Sequence, residues 1–302
     1  MRFAKGHGTG NDFLIVPDPD GQLMLTPPLV AGLCDRHTGL GADGVLRVVR
    51  ADPSAQGAVP PDHAEAEWFM DYRNADGSIA EMCGNGIRVF ARYLLDHGLV
   101  GGPELDLATR AGLRHVTEEP SGDITVDMGA PALLGQGAAV IGGSEYQGLA
   151  VSLGNPHLAC IVNVPVAGID LSQPPVVDHT QFPDGANVEV VRIVGAGSVE
   201  MRVYERGSGP TLSCGTGAVA AAVAANSAVG EPAGRGNGNP ARAWTVQVPG
   251  GKLTVTLTGT VSLLSGPAEI VAEGELNESW LSRLAASPGR TAAREGQLSV
   301  QR

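Results

Sequence analysis

Cysteine is scarce in this chain, four in 302 residues, and the four stand far apart: Cys34, Cys83, Cys160 and Cys214 are separated by 49, 77 and 54 positions. No close Cys or His pairs of the zinc-site type occur, so a structural metal is not expected. Nor is a disulfide framework, in a chain this long and in a reducing compartment. Lysine is scarcer still, with only Lys5 and Lys252, which weakens the case for a Schiff-base lysine. Positive charge is in deficit, 20 Lys and Arg against 32 Asp and Glu, a net charge of −12 spread along the chain. That balance gives no long-range pull on nucleic acid or an anionic membrane, and points to a small-molecule partner. Long apolar runs are missing as well. MRFAKGHGTGNDF holds no signal-peptide stretch, and AVAAAVAANSAVG is too short and interrupted to span a bilayer, so a cytoplasmic location is expected.

What remains is a globular composition, 43% hydrophobic and 17% charged, with room for two domains or one large one. RFAK and FLIVPD read as strands around a glycine-rich loop, GHGTGND. Because a strand rather than a helix follows those glycines, they fit neither a dinucleotide nor a P-loop fingerprint. The loop is either a tight turn or a turn that also offers Asn11 to a ligand. A short helix at PLVAGLCDRH leads to the strands VLRVVR and EWFMDYRN, separated by a long loop over 51–66.

IAEMCGNGIRVFARYLLDHG then places Ile87, Phe90, Ala91, Leu94 and Leu95 at helical spacing before a terminating Gly98, so Cys83 falls at a helix N-terminus. Short strands follow (LDLATR, LRHVTE, ITVDMG). A second set, YQGLAVSLGNPHLACIVNV, ANVEVVRIV and SVEMRVYERG, ends in TLSCGTGAVAAAVAAN. A cysteine again precedes Gly-x-Gly and a helix, 131 positions after the first, and this recurrence predicts two similar domains related by duplication. TVQVPG, KLTVTLTG and VSLLSG continue the second half, with an insertion near 231–243. GPAEIVAEGEL reads as a last strand, and the polar tail over 286–302 is expected to be flexible.

Free cysteine is usually a small buried residue, which remains one reading of Cys83. The other is chemical. A helix N-terminus presents unpaired N–H groups and partial positive charge, so it lowers the pKa of a neighbouring thiol and can hold a carboxylate. Two such thiols facing each other across a cleft suit inversion of a stereocentre, one removing an α-proton and the other returning a proton to the opposite face. N–H groups and exclusion of water would stabilise the carbanion. Cys34 and Cys160 lie outside the helix-start pattern and are assigned to core packing.

In order and spacing, NADGSIAEMCGNGIR, VSLGNPHLA, FPDGANV and RVYERGSGPTLSCGTGAVAAA resemble diaminopimelate epimerase. The similarity runs to about residue 280. It implies an α/β fold of the α+β type, with two pseudosymmetric domains, each a mostly antiparallel sheet wrapped around a central helix. The expected division is 1–118 with the strand at about 266–280 for the lobe carrying Cys83, and 119–265 for the lobe carrying Cys214. It also implies cofactor-independent conversion of LL- to meso-2,6-diaminopimelate, without pyridoxal phosphate, in lysine and peptidoglycan precursor synthesis, and a homodimer.

By motif, Cys83 and Cys214 resemble the acid–base thiols, and Gly84, Asn85, Gly215 and Thr216 the helix starts that hold the reacting carboxylate. His157 and Glu205 resemble the residues that help the thiols exchange protons; taken alone, they would read as a satisfied structural His and a solvated Glu. Asn11, Asn74, Asn155, Asn187, Glu205 and Arg206 match substrate contacts. Amide oxygens suit an ammonium, and an Arg fork suits a carboxylate. Many relatives carry Gln where this chain has Gly44, so one polar contact is lost here or supplied by water or a neighbour.

Two rivals remain. Proline racemase-type enzymes share the paired cysteines, but there the first is usually followed by Gly-His rather than Gly-Asn. A dithiol redox protein would cycle Cys83 and Cys214 through a disulfide, without a CxxC motif to support it.

Overall fold

The computed structural model describes residues 1–51, 66–230 and 241–286. The loop expected over 51–66 (apart from its ends), the insertion near 231–243 as far as residue 240, and the tail beyond 286 lie outside them. The chain opens with β1 (Arg2–Gly8) and β2 (Asn11–Pro17), then α1 (Pro27–Cys34), β3 (Gly44–Arg50), β4 (Trp68–Asn74) and α2 (Gly84–Asp96). β5 (Glu104–Thr109), β6 (Gly112–Glu118) and β7 (Ile124–Asp127) follow. The second series is β8 (Ala132–Ile141), β9 (Ser144–Ser152), β10 (Pro156–Ile161), β11 (Val176–Val177), β12 (Asn187–Gly195), β13 (Ser198–Glu205) and β14 (Gly209–Thr211). Then come α3 (Gly215–Ala228), β15 (Arg242–Val248), β16 (Gly251–Leu257), β17 (Ser262–Gly266), β18 (Glu269–Glu275) and α4 (Glu278–Ala286).

The pairing repeats itself strand for strand. β1 pairs antiparallel with β18 and β2, β2 runs parallel to β3, β3 antiparallel to β4, β4 parallel to β5, and β5, β6 and β7 form a meander. In the second series β9 pairs antiparallel with β8 and β10, β10 runs parallel to β12, β12 antiparallel to β13, β13 parallel to β15, and β15, β16 and β17 form the meander. β7 and β17, which occupy the same place in the repeat, pair with each other antiparallel. Grouping by repeat puts residues 2–127 and 269–275 in one half and 132–266 in the other, whereas a boundary at 118/119 falls inside the β6–β7 hairpin.

Each half wraps its sheet around its helix. In α3 every residue from Gly215 to Asn226 is buried, as expected of a helix that is small and apolar on all sides. α2 is buried from Gly84 to Ala91, again at Tyr93 and Leu94, and shows Arg92, Leu95 and Asp96 toward its solvent side. One apolar cluster joins both helices to both sheets, from Phe13, Ile87 and Phe90 to Val219, Trp244 and Leu264. Cys34 and Cys160 pack into separate smaller clusters.

Local outcomes differ from the sequence reading in three places. GHGTGND is a two-residue hairpin: β1 runs on to Gly8, and the turn residues Thr9 and Gly10 both take positive φ, 52° and 82°, the primed-turn geometry that matches strand twist. β8 and α4 were not expected. α4 packs Trp280 and Leu281 onto the cluster around Leu14, Val30 and Leu33. No helix among the described residues is long and apolar enough to cross a membrane.

Candidate active site

Cys83 and Cys214 are the N-caps of α2 and α3, with nearly the same backbone: φ −137° and ψ 122° at Cys83, φ −128° and ψ 119° at Cys214. Each Sγ accepts the N–H three residues on, from Gly86 and Gly217, at 3.4 Å. The thiols therefore stand where a Ser or Asp cap would stand.

The two helix starts touch. A Cβ on Gly215 would lie 3.0 Å from Gly84 Cα, and one on Gly84 would lie 3.3 Å from Gly215 Cα. Neither glycine has positive φ, so the close approach, rather than backbone freedom, is what demands glycine here. Gly217 is fixed by a different neighbour, since a Cβ there would sit 2.7 Å from Glu189 Oε1.

Both thiols open on one cleft of about 450 Å³. Its walls include Asn11, Asn74, Gly84, Asn85, Asn155, Asn187, Glu205, Arg206, Gly215 and Thr216, so the structure brings together every residue the motifs nominate except His157. An adjoining chamber of about 650 Å³ shares Asn11, Tyr72, Asn74, Cys83, Glu205 and Arg206 and adds Arg36, Asp43 and Asp76.

His157 is buried behind the wall. Its Nδ1 lies 2.7 Å from Glu189 Oε1 and its Nε2 3.1 Å from Asn155 Oδ1. Asn155 Nδ2 in turn donates to Thr216 Oγ1, which is 3.5 Å from Cys214 Sγ. His157 thus reaches the second thiol through Asn155 and Thr216.

The amides are held in place before any ligand arrives. Asn11 donates to Asp43 (2.7 Å) and turns its oxygen to Cys83 Sγ at 3.7 Å. Asn85 Nδ2 ties the halves together through Ser213 O at 3.1 Å, and Thr9 Oγ1 donates to Ser213 Oγ at 2.7 Å. Asn187 Oδ1 accepts the Arg206 N–H at 2.9 Å, and Asn74 Nδ2 donates to Ser78 Oγ.

Burial reverses one expectation. It pushes the Cys83 thiol up to about 11, against the pull of the Gly86 and Asn85 N–H groups. Cys214 is raised well above the ordinary thiol value by burial, then by the nearby Glu205 and Glu189 carboxylates. The helix starts do lower both, but desolvation wins. Glu205 is itself raised by burial, against hydrogen bonds from Thr211 and Cys214. A carboxylate made more basic thus acts on a thiol made less acidic.

A sequence model of the family described as diaminopimelate epimerase matches residues 3–134 and 149–271. The chain belongs to this family. It is 58% identical over 285 residues to a diaminopimelate epimerase of Thermobifida fusca (strain YX), covering 93% of this chain and all of that one. Solved structures share the fold at much lower identity. A phenazine biosynthesis protein of the PhzF family from Bacillus anthracis matches with a TM-score of 0.64 at 16% identity, over 92% of this chain and 99% of its own. A probable proline racemase from Agrobacterium radiobacter K84 matches with a TM-score of 0.62 at 16% identity, over 92% and 93%.

Sequence reasoning missed Glu189, Ser213, Thr9 and Tyr72. Glu189 left a trace: in the buried strand NVEVV it falls two positions after Asn187, on the same strand face, where a charge is unexpected unless it is paired.

Proposed function

We propose that this chain is a two-base epimerase that interconverts LL- and meso-2,6-diaminopimelate without a cofactor. The observation that carries the reading is the contact between Gly84 and Gly215, which sets two cysteine-capped helix starts against one cleft. The reacting α-carboxylate would sit on the N–H groups of the two helix starts, each the positive end of a peptide dipole. One sulfur takes the α-proton, and the opposite thiol gives its proton to the other face of the carbanion; the reverse direction uses the pair in the other order.

A thiolate is costly in this desolvated site, so a partner must take a proton before Cys214 can act as the base. Glu205, the carboxylate whose charge acts most strongly on Cys214, is that acceptor. His157 acts one step removed, holding Asn155 and, through it, Thr216. The substrate's α-ammonium, once bound near Asn11 and Asn155, favours the thiolate by its charge. Asn74, Asn187 and Arg206 take the non-reacting end, the Arg fork pairing with its carboxylate. Action in lysine and peptidoglycan precursor synthesis, in the cytoplasm and as a homodimer, belongs to the same reading through the family.

The test is incubation of LL-diaminopimelate with metal-free, cofactor-free protein in deuterated water. Deuterium at one α-carbon together with the meso isomer is expected. Exchange with proline or hydroxyproline but not with diaminopimelate would assign the cleft to the racemase chemistry found on the same fold. Thiol-dependent disulfide reduction would assign it to redox chemistry.

A further inference from the structure

Tyr72 stands in the wall shared by both chambers. Its side chain is only 8% exposed, and its ring packs edge-on against Phe13, with centroids 5.9 Å apart. Among the described residues its hydroxyl makes no hydrogen bond. The phenol oxygen is not among the buried polar atoms left without a partner, so it meets the contents of the cleft, whether water or an acceptor on a ligand.

The ring has its place because residue 44 has no side chain. Gly44 pairs with Asn74 and Leu46 with Tyr72, so positions 44 and 72 are diagonal neighbours on one sheet face. A Cβ on Gly44 would lie 2.5 Å from the Arg73 carbonyl oxygen, 2.7 Å from Tyr72 Cε2 and 3.5 Å from its hydroxyl oxygen. Gly44 is the seat on which the ring rests.

Tyr72 shares both chambers with Asn74 and Arg206, the groups assigned above to the non-reacting end, and also with Asn11, Cys83 and Glu205, whereas the helix-start groups Gly84, Asn85, Gly215 and Thr216 line the first chamber alone. Burial holds the phenol well above its ordinary pKa, so it stays protonated and able to donate.

Building on the epimerase reading above, we propose that the Tyr72 hydroxyl donates a hydrogen bond to the carboxylate at the non-reacting end of the substrate, beside Arg206. Tyr72 is then a specificity-determining residue, and its role is in binding rather than in proton transfer.

Tyr72→Phe keeps the ring and removes the oxygen. With LL-diaminopimelate, KM should rise roughly 10- to 100-fold, the worth of a hydrogen bond to a charged group. kcat should stay within about threefold and keep its pH profile, as expected for lost uniform binding. An unchanged kcat/KM, or a loss carried mainly by kcat, overturns the assignment. If the Phe variant melts early, Gly44→Ala gives a second test by wedging a methyl group against the Arg73 carbonyl and the ring: the backbone clash is common to both backgrounds, so KM should rise more in the Tyr72 background than beside Tyr72→Phe. Equal effects in both backgrounds would overturn the proposal. Wild-type protein inactive on diaminopimelate would end both this proposal and the epimerase reading, whereas active wild type beside an unaffected variant ends this proposal alone.

Discussion

His157 Nδ1 and Glu189 Oε1 lie 2.7 Å apart with neither side chain exposed, and the second oxygen of Glu189 has no hydrogen-bond partner among the described residues. Glu189 is thus committed to one task, holding the imidazole. Glu189→Ala should cost on the order of 3 kcal/mol, because it leaves the ring nitrogen unpaired in the interior. Turnover should fall with it, since Asn155 and Thr216 lose their anchor. Glu189→Gln keeps an acceptor and should cost about 1 kcal/mol. Urea unfolding of the three proteins decides the matter; an alanine variant as stable as the parent would refute this account.

Gly215→Ala places a methyl group 3.0 Å from Gly84 Cα, against backbone that cannot swing aside. The helix starts must separate, and the thiols with them. A shift near 1 Å costs roughly 100-fold in turnover, with overpacking worth about 1–3 kcal/mol in stability. Gly101→Ala, where a Cβ meets nothing within 4 Å, is the control. Equal activity in both variants would show that the contact does not set the geometry.

Cys83→Ala and Cys214→Ala should each remove turnover, by on the order of 10⁴-fold. The serine variants should retain only a trace, because a hydroxyl is a far weaker acid than a thiol. Cys34→Ala and Cys160→Ala should keep kcat. Assays of all six variants at one pH separate the four cysteines, and an active Cys214→Ala protein would contradict the two-base scheme.

Burial raises Cys34 and Cys160 to about 12 and Cys83 to about 11, from 9.0. Above pH 9 the unfolded chain releases these protons while the folded chain keeps them, so the unfolded state binds fewer protons and stability falls as pH rises. The contribution is whole below pH 9 and is lost progressively between pH 9 and about 12. Denaturant titrations at pH 8, 9.5 and 10.5 should show this decline, and Cys160→Ala should make it shallower by about one proton's share. A stability that stays level to pH 10.5 would mean that the thiols titrate freely.

The helix starts were legible in the sequence because Cys-Gly-x-Gly before a helical period is a local signal, written into neighbouring residues. The same holds for β3, β4 and β18. β8 escaped because ALLGQGAAVI carries no clean alternation and seven of its ten residues are exposed or half-buried before Val140. α4 escaped because its partners, Leu14 and Val30, lie some 250 positions earlier. The sign of the thiol shifts escaped for a related reason. Motifs report the helix dipole, but desolvation depends on how many atoms from both halves crowd each sulfur, and only the assembled fold holds that information.

The seam between β7 and β17 joins each strand to its own counterpart. A polypeptide of half this size could therefore have completed the sheet by binding a twin, but both sulfurs would then have sat in identical surroundings. Fusion into one chain lifts that constraint. Cys83 now faces the Asn11 oxygen and Cys214 the Glu205 carboxylate, and this asymmetry lets mirror-related atoms differ in their readiness to give up a proton.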